Sequence, residues 1–530
     1  MKKFFTLVVM AITSLAMMAK DYTCPLVVSL SGRDFPPIAG ITVSVDQQTD
    51  GKYTLQLLNF DMGGSLPVGN IVVKDVEATT CGNTIVLTAQ KDIEITKGDK
   101  ELEEDQAWLG PQLGIVPINM RGELKGDKFN AILNIDMSKI AMNIGVKLGD
   151  DWESMGQIAN ANFTDFHDAT AGSASSKEPN AWHSFMSCTG MLKSSVNQNT
   201  HTFISDIVRP GTEGTHGVKV VSGIVIGSVP ANGTITTGRL QAGGWTPTST
   251  SNCSFLDMSK SDKDGNGDPF YTVLTNKPDS IVAWVKFKQG AITESNKKYK
   301  YATISAIITD GTKYQDPEDK KYKNIVAKAK NATIESNDFA WQRISIPFDY
   351  ESYKGNDVSP KAILVTMSTN AQPGVASTDA NNPDVLYVDS VGLVYNNELK
   401  SLKFKGQEVK GEDDSYEVDY KGEVSLDDID VEANSPYAFI NKSLMDQSDE
   451  NGKITLATIT VVSNDLKNAN VYYLSINGAT ITGIKKTEMV KNNTVSAIYN
   501  ANGQQVSNMN QPGLYIIKNA DGKTVKFLKK

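Results

Sequence analysis

Arginine is nearly missing from this chain of 530 residues. Only Arg33, Arg121, Arg209, Arg239 and Arg343 carry a guanidinium, against 61 acidic residues and a net charge of −9. Nucleic-acid binding draws on a dense cationic surface with bidentate groups, so that class is excluded. Cysteine is also scarce, at four residues with no CxxC spacing. That excludes a disulfide-dense scaffold and a structural zinc site of the cysteine-ligated kind. The four His show neither HxxxH nor HxH spacing, which sets a low ceiling on His-based metal chemistry. No GxSxG occurs, so the nucleophile of an α/β-hydrolase is absent. No amphipathic helix longer than about ten residues is legible, and beyond the first twenty residues no apolar run approaches the ~20 needed to span a bilayer.

What is present describes ordered, exported β structure. Apolar residues make up 40% and charged residues 21% of the chain, a globular balance, and the length suggests three or four domains. Residues 1–19 read as a secretory signal peptide: Lys2 and Lys3 form the positive start, Phe4 to Ala16 the apolar stretch, and Ala16 or Ala19 the cleavage site. The mature protein is therefore expected to be secreted or cell-surface, exported through the periplasm, with no membrane span. Export permits disulfides; Cys24–Cys81 and Cys188–Cys253 stand as one option and four buried free thiols as the other.

Period-two alternation dominates the rest. Phe129, Ala131, Leu133, Ile135 and Met137 share one face of a segment, as do Ile281, Ala283, Val285 and Phe287. Such runs mark half-buried strands, and turns such as Thr49-Asp50-Gly51 separate them. The fold class is all-β, in four blocks after the leader: residues 20–150, 155–396, 397–480 and 481–530.

The first block resembles the calycin-like domain of secreted bacterial proteins, through Gly51-Lys-Tyr-Thr-Leu-Gln-Leu-Leu-Asn-Phe60, Val68-Gly-Asn-Ile-Val-Val73 and the Gly122–Asp136 strand pair. That resemblance implies a small antiparallel barrel, lipocalin-like in shape, either filled by its own side chains or holding an apolar ligand. The second block is similar to the family named "putative carbohydrate metabolism domain", which implies a jelly-roll-like β-sandwich. Ala161 to Phe166, Trp182, Lys277 to Phe287 and Asp384 to Tyr395 carry the likeness. Leu399 to Ile476 resembles an immunoglobulin-like module. The last segment, with Val495 to Val506, Gly513-Leu-Tyr-Ile-Ile517 and the basic run to Lys530, is similar to a type IX secretion sorting domain. It implies a short C-terminal β domain read by secretion machinery.

Chemistry is sparser. Asp262, Asp264, Asn266 and Asp268 place oxygens at alternate positions around glycines, as a calcium loop does, but Val273 stands where an EF-hand needs Glu. A loose structural Ca2+ loop and a solvated turn are the two readings. Asp389, inside an apolar closing strand, is either a further calcium ligand or a hydrogen-bonded cross-strand residue. Trp284, Trp182 and Trp245 are candidate platforms for stacking a sugar ring, Trp284 first because it lies opposite the apolar face of its strand; Trp341 reads as a core anchor. The expected partner is a polysaccharide or oligosaccharide, and the expected role is glycan binding in carbohydrate acquisition. A glycoside hydrolase with its carboxylate pair in the middle block is the alternative, and a structural surface protein the third reading.

Overall fold

The computed structural model describes residues 19–61, 67–103, 106–138, 141–198, 201–212, 214–448 and 452–481, and the backbone of four strands beyond them. Residues 1–18 of the expected signal peptide lie outside the described residues.

The chain folds into all-β modules. Eight strands from Lys20–Leu30 to Met142–Leu148 pair antiparallel in sequence order. The last pairs back onto the first, from Leu26 opposite Leu148 to Leu30 opposite Ile144, which closes the barrel. The Asp50-Gly51 turn works because Gly51 takes φ 87°, where a side chain is strained. The interior is packed with Leu26, Val28, Leu55, Leu57, Ile71, Leu133 and Ile144, the filled form of the barrel.

One side of the barrel departs from simple alternation. On the strand Lys128–Met137, the residues between the apolar ones were expected to face water, yet Asn134 and Asp136 are buried and Ile132 is fully so. The third module, residues 397–480, covers this face at Ile132, which packs with Val462, Leu466 and Ala469 and with Met155 of the segment that follows the barrel. Asn134 survives burial by exchanging amide hydrogen bonds of 2.8 and 3.2 Å with Asn143.

The middle module is a sandwich of two five-stranded sheets. The front sheet runs Thr202–Ser205, Gly217–Val221, Val385–Val394, Ser280–Lys288, Gln342–Pro347. The back sheet orders Thr234–Thr236, Ala362–Ser368, Ala302–Thr309 and Ile325–Ile334, with Thr272–Val273 paired to Ala362–Ser368. Ile281, Ala283, Val285 and Phe287 of the front sheet meet Ile304, Ile308, Val365 and Met367 of the back, so the alternation read from sequence points into the core as expected. The hairpin Phe166–Ala171 with Ala174–Pro179 lies outside both sheets.

The third module packs Leu402 and Phe404 against Ile459, Val461, Leu474 and Ile476, with Ser415–Val424 running parallel to Ala469–Ile481. In the last segment, Gln505–Val506, Val495–Asn500, Gly513–Asn519 and Thr524–Lys529 form an antiparallel sheet of backbone; its side chains lie outside the described residues. All four Cys are buried free thiols. Among the described residues no helix is long and apolar enough to cross a membrane.

Candidate functional site

Two places on the sandwich gather chemistry-bearing side chains. The first is the outer face of the front sheet. Cross-strand pairing puts Lys219, Tyr387 and Lys286 in one row and Trp284 beside Arg343 in the next. Trp284 is half-buried, and the Arg209 guanidinium stands 5.3 Å from its ring centroid. The Lys286 ammonium stands 4.4 Å from the ring of Phe339, on a loop where Asp338 and Phe339 take φ of 48° and 56°. Positive φ at two non-glycine residues costs roughly 1–3 kcal/mol each and persists only when the surroundings enforce it.

Asp389 organises this face from below. Its carboxylate is fully buried, accepting the Arg209 backbone N–H at 3.0 Å and the Ser390 hydroxyl at 2.9 Å. Both oxygens are thus used by the chain, which fits the hydrogen-bonded reading. Its effect is to set Arg209 over Trp284.

The other two aromatic candidates part company. Trp245 is 60% exposed on a loop after Gly243 and Gly244. Trp182 has no exposed ring face to offer a sugar: it is fully buried, 5.2 Å from the Phe163 ring, and donates its indole N–H to the Ala159 carbonyl at 3.1 Å. The alternation that exposes Trp284 does not apply to Trp182, which lies in a turn between the hairpin and the sandwich. Trp341 is half-buried, less enclosed than a core anchor.

The second place surrounds the loop read as a calcium site. Its oxygens do not converge. Asp262 turns outward to an ion pair with Arg239. Asp268 accepts from the Ala181 backbone N–H at 2.9 Å and from the Asn266 amide at 2.8 Å. Asp264 Oδ1 accepts the backbone N–H groups of Asn266 and Asp268 at 2.9 and 2.8 Å, an Asx turn that fixes the carboxylate.

Asp264 Oδ2 points the other way, into a pocket of histidines. It lies 3.4 Å from His183 Nδ1 and 3.6 Å from His167 Nε2, and His167 Nε2 lies 3.8 Å from Glu178 Oε2. His183 and Glu178 are buried. Burial lowers His183 to about 4, so the ring is neutral at pH 7; burial also raises Glu178, against hydrogen bonds from Ser184. Single-segment spacing hid this grouping, because its donors come from a hairpin, the segment after it, and a loop eighty residues on.

A third recess of about 520 Å³ lies where the modules meet, lined by Gln90, Asn119, Arg121, Asn276, Phe439 and Asn464 among others. Arg121 there reaches Thr275 of the sandwich and Glu123 of the barrel.

Comparison with curated proteins gave no match. Among solved structures, a "putative glycoside hydrolase" from Bacteroides thetaiotaomicron VPI-5482 aligns with TM-score 0.30 and 12% identity, over 53% of this chain and 87% of that one. A "putative outer membrane protein" from Bacteroides fragilis NCTC 9343 aligns with TM-score 0.17 and 10% identity, over 66% and 96%. Residues 18–149 match the calycin-like beta-barrel domain, in agreement with the closed eight-stranded barrel formed there.

Proposed function

We propose that this chain is an exported, cell-surface glycan-binding protein of carbohydrate acquisition, and that it docks saccharide on the front sheet of the sandwich. One observation carries the reading: Trp284 stands on the non-core face of an inner strand, half-buried and outside the apolar core, with Arg209 beside its ring. An aromatic face covers the C–H face of a pyranose, and nearby polar groups then read its hydroxyls. Arg209, Lys219, Lys286 and Arg343 share that face, which favours a saccharide bearing carboxylate or sulfate groups. The leader motif, the calycin-like barrel and the sorting-like tail support delivery outside the cell.

The test is affinity electrophoresis of the full chain and of Trp284→Ala through neutral and acidic polysaccharides, beside a thermal melt. Removing an aromatic anchor costs about 2 kcal/mol, roughly thirtyfold in Kd. The variant should lose retention and keep its melting temperature. Equal retention of both proteins refutes the site. Release of reducing ends from the polysaccharide moves the reading to a hydrolase, and retention of neither protein on any glycan moves it to a structural surface protein.

A further inference from the structure

We propose that His167, Glu178, His183 and Asp264 bind one divalent transition-metal ion of zinc's class, and that this ion is a structural staple of the sandwich. Three buried atoms in this pocket are left without partners. Glu178 Oε2, His183 Nδ1 and Asp264 Oδ2 are all buried and make no hydrogen bond. Leaving such atoms unpaired costs about 1–3 kcal/mol each, so three in one pocket call for an explanation.

Hydrogen bonding at the far side of each group sharpens it. His183 Nε2 faces the Pro269 carbonyl at 3.3 Å, which can only accept, so Nε2 carries the proton and Nδ1 presents its lone pair to Asp264. His167 Nδ1 faces the Asn180 amide oxygen at 3.1 Å, which turns Nε2 toward Glu178 and Asp264. The His183 lone pair and the Asp264 carboxylate oxygen repel one another unless a cation sits between them.

The remaining atoms are held as outer-shell partners hold metal ligands. Glu178 Oε1 is fixed by the Ser184 N–H at 2.8 Å and by the hydroxyls of Ser184 and Ser187. Asp264 Oδ1 is fixed by its Asx turn. Each candidate ligand thus spends one atom on orientation and aims the other inward.

Spacing and donor type identify the ion. Zinc bonds of ~2.0–2.2 Å to nitrogen and oxygen in a tetrahedron set ligand atoms about 3.3–3.6 Å apart. Three of the pairs stand 3.4, 3.6 and 3.8 Å apart, and the donor atoms form two sets within 4.8 Å of one another that share Asp264: Glu178, His183 and Asp264, and His167, Asp264 and Asp268. Two imidazoles and two carboxylates suit zinc and its neighbours, whereas calcium takes about six to eight oxygens. Glu178, His183 and Asp264 are the core of the set and His167 closes its outer side, so an ion held there sits away from bulk solvent and acts as a structural one. It ties the hairpin carrying His167 and Glu178 to the His183 segment and to the loop carrying Asp264. His167, with a side chain 9% exposed, gives the ion a way in.

The full chain, purified without chelator, should carry close to one equivalent of zinc or a related metal by elemental analysis. After chelation, zinc should restore a higher melting temperature, and cobalt(II) should give the intense visible bands of a four-coordinate site. Asp264→Asn and His167→Gln should each weaken zinc binding by more than about 100-fold. Asn180→Ala, which only releases His167, should weaken it by roughly 10–100-fold. His216→Ala, outside the cluster, should change nothing. Because a buried substitution can unfold the hairpin, circular dichroism accompanies each variant, and the wild-type metal content and cobalt spectrum stand without any variant. No stoichiometric metal with no zinc-dependent shift overturns the proposal. So does zinc bound equally well by folded Asp264→Asn and His167→Gln, or calcium raising the melting temperature where zinc does not.

Discussion

Replacing Trp182 separates a core role from a ligand-binding one more cleanly than any other single change. Its indole is fully buried, lies against Phe163 and spends its N–H on the Ala159 carbonyl. A Trp side chain buries about 150–250 Å², which at ~25 cal/mol per Å² amounts to roughly 4–6 kcal/mol. Measured Trp→Ala changes in cores cost about 3–5 kcal/mol, because the pocket collapses only in part. Trp182→Phe keeps a ring against Phe163 and loses chiefly the hydrogen bond and some volume, so it should cost ~1–3 kcal/mol. In calorimetry of the full chain, Trp182→Ala should lower the sandwich transition by about 6–20 °C, taking ~2–4 °C per kcal/mol for a domain of this size. Trp182→Phe should fall between it and the wild type. Saccharide retention measured below the transition should stay unchanged for both. A Trp182→Ala protein that melts like the wild type yet loses retention would refute the core assignment and return Trp182 to the ligand face.

Two further outcomes follow from buried polar groups. Asn134→Ala should destabilise the chain by roughly 2–4 kcal/mol in urea titration, since it strands both amide atoms of buried Asn143; an effect below about 0.5 kcal/mol would mean that water replaces it. His201 is pushed below its ordinary 6.5 by burial, against a hydrogen bond to the Val221 carbonyl. The unfolded chain therefore takes up a proton near pH 6.5 that the folded chain refuses, and stability falls as pH drops below 6.5 toward the folded value. His201→Phe, which keeps a ring against Phe185, should make that part of the stability profile shallower, with buried His183 supplying the remaining slope; an unchanged slope would refute the His201 contribution.

The sequence by itself determined the class of the fold and much of its local geometry. Alternation at Ile281, Ala283, Val285 and Phe287 is a property of one strand, and a strand with one apolar face can bury only that face. The same reasoning put Trp284 on the other side, where the structure has it. The calycin-like barrel was legible for a similar reason: its strands pair in chain order, so neighbours in sequence are neighbours in space. Tertiary structure decided what one strand cannot know. Asn134 and Asp136 lie on a face that reads as polar, yet a module more than three hundred residues away covers it. Asp262 and Asp264 stand two residues apart in one oxygen-rich loop; an arginine draws the first outward, and the second turns toward histidines of another segment. Metal-ligand spacing in sequence reports only sites built on a single turn or helix. The His167, Glu178, His183 and Asp264 pocket exists because a hairpin and a distant loop meet at the side of the sandwich, and only packing brings those donors to one point.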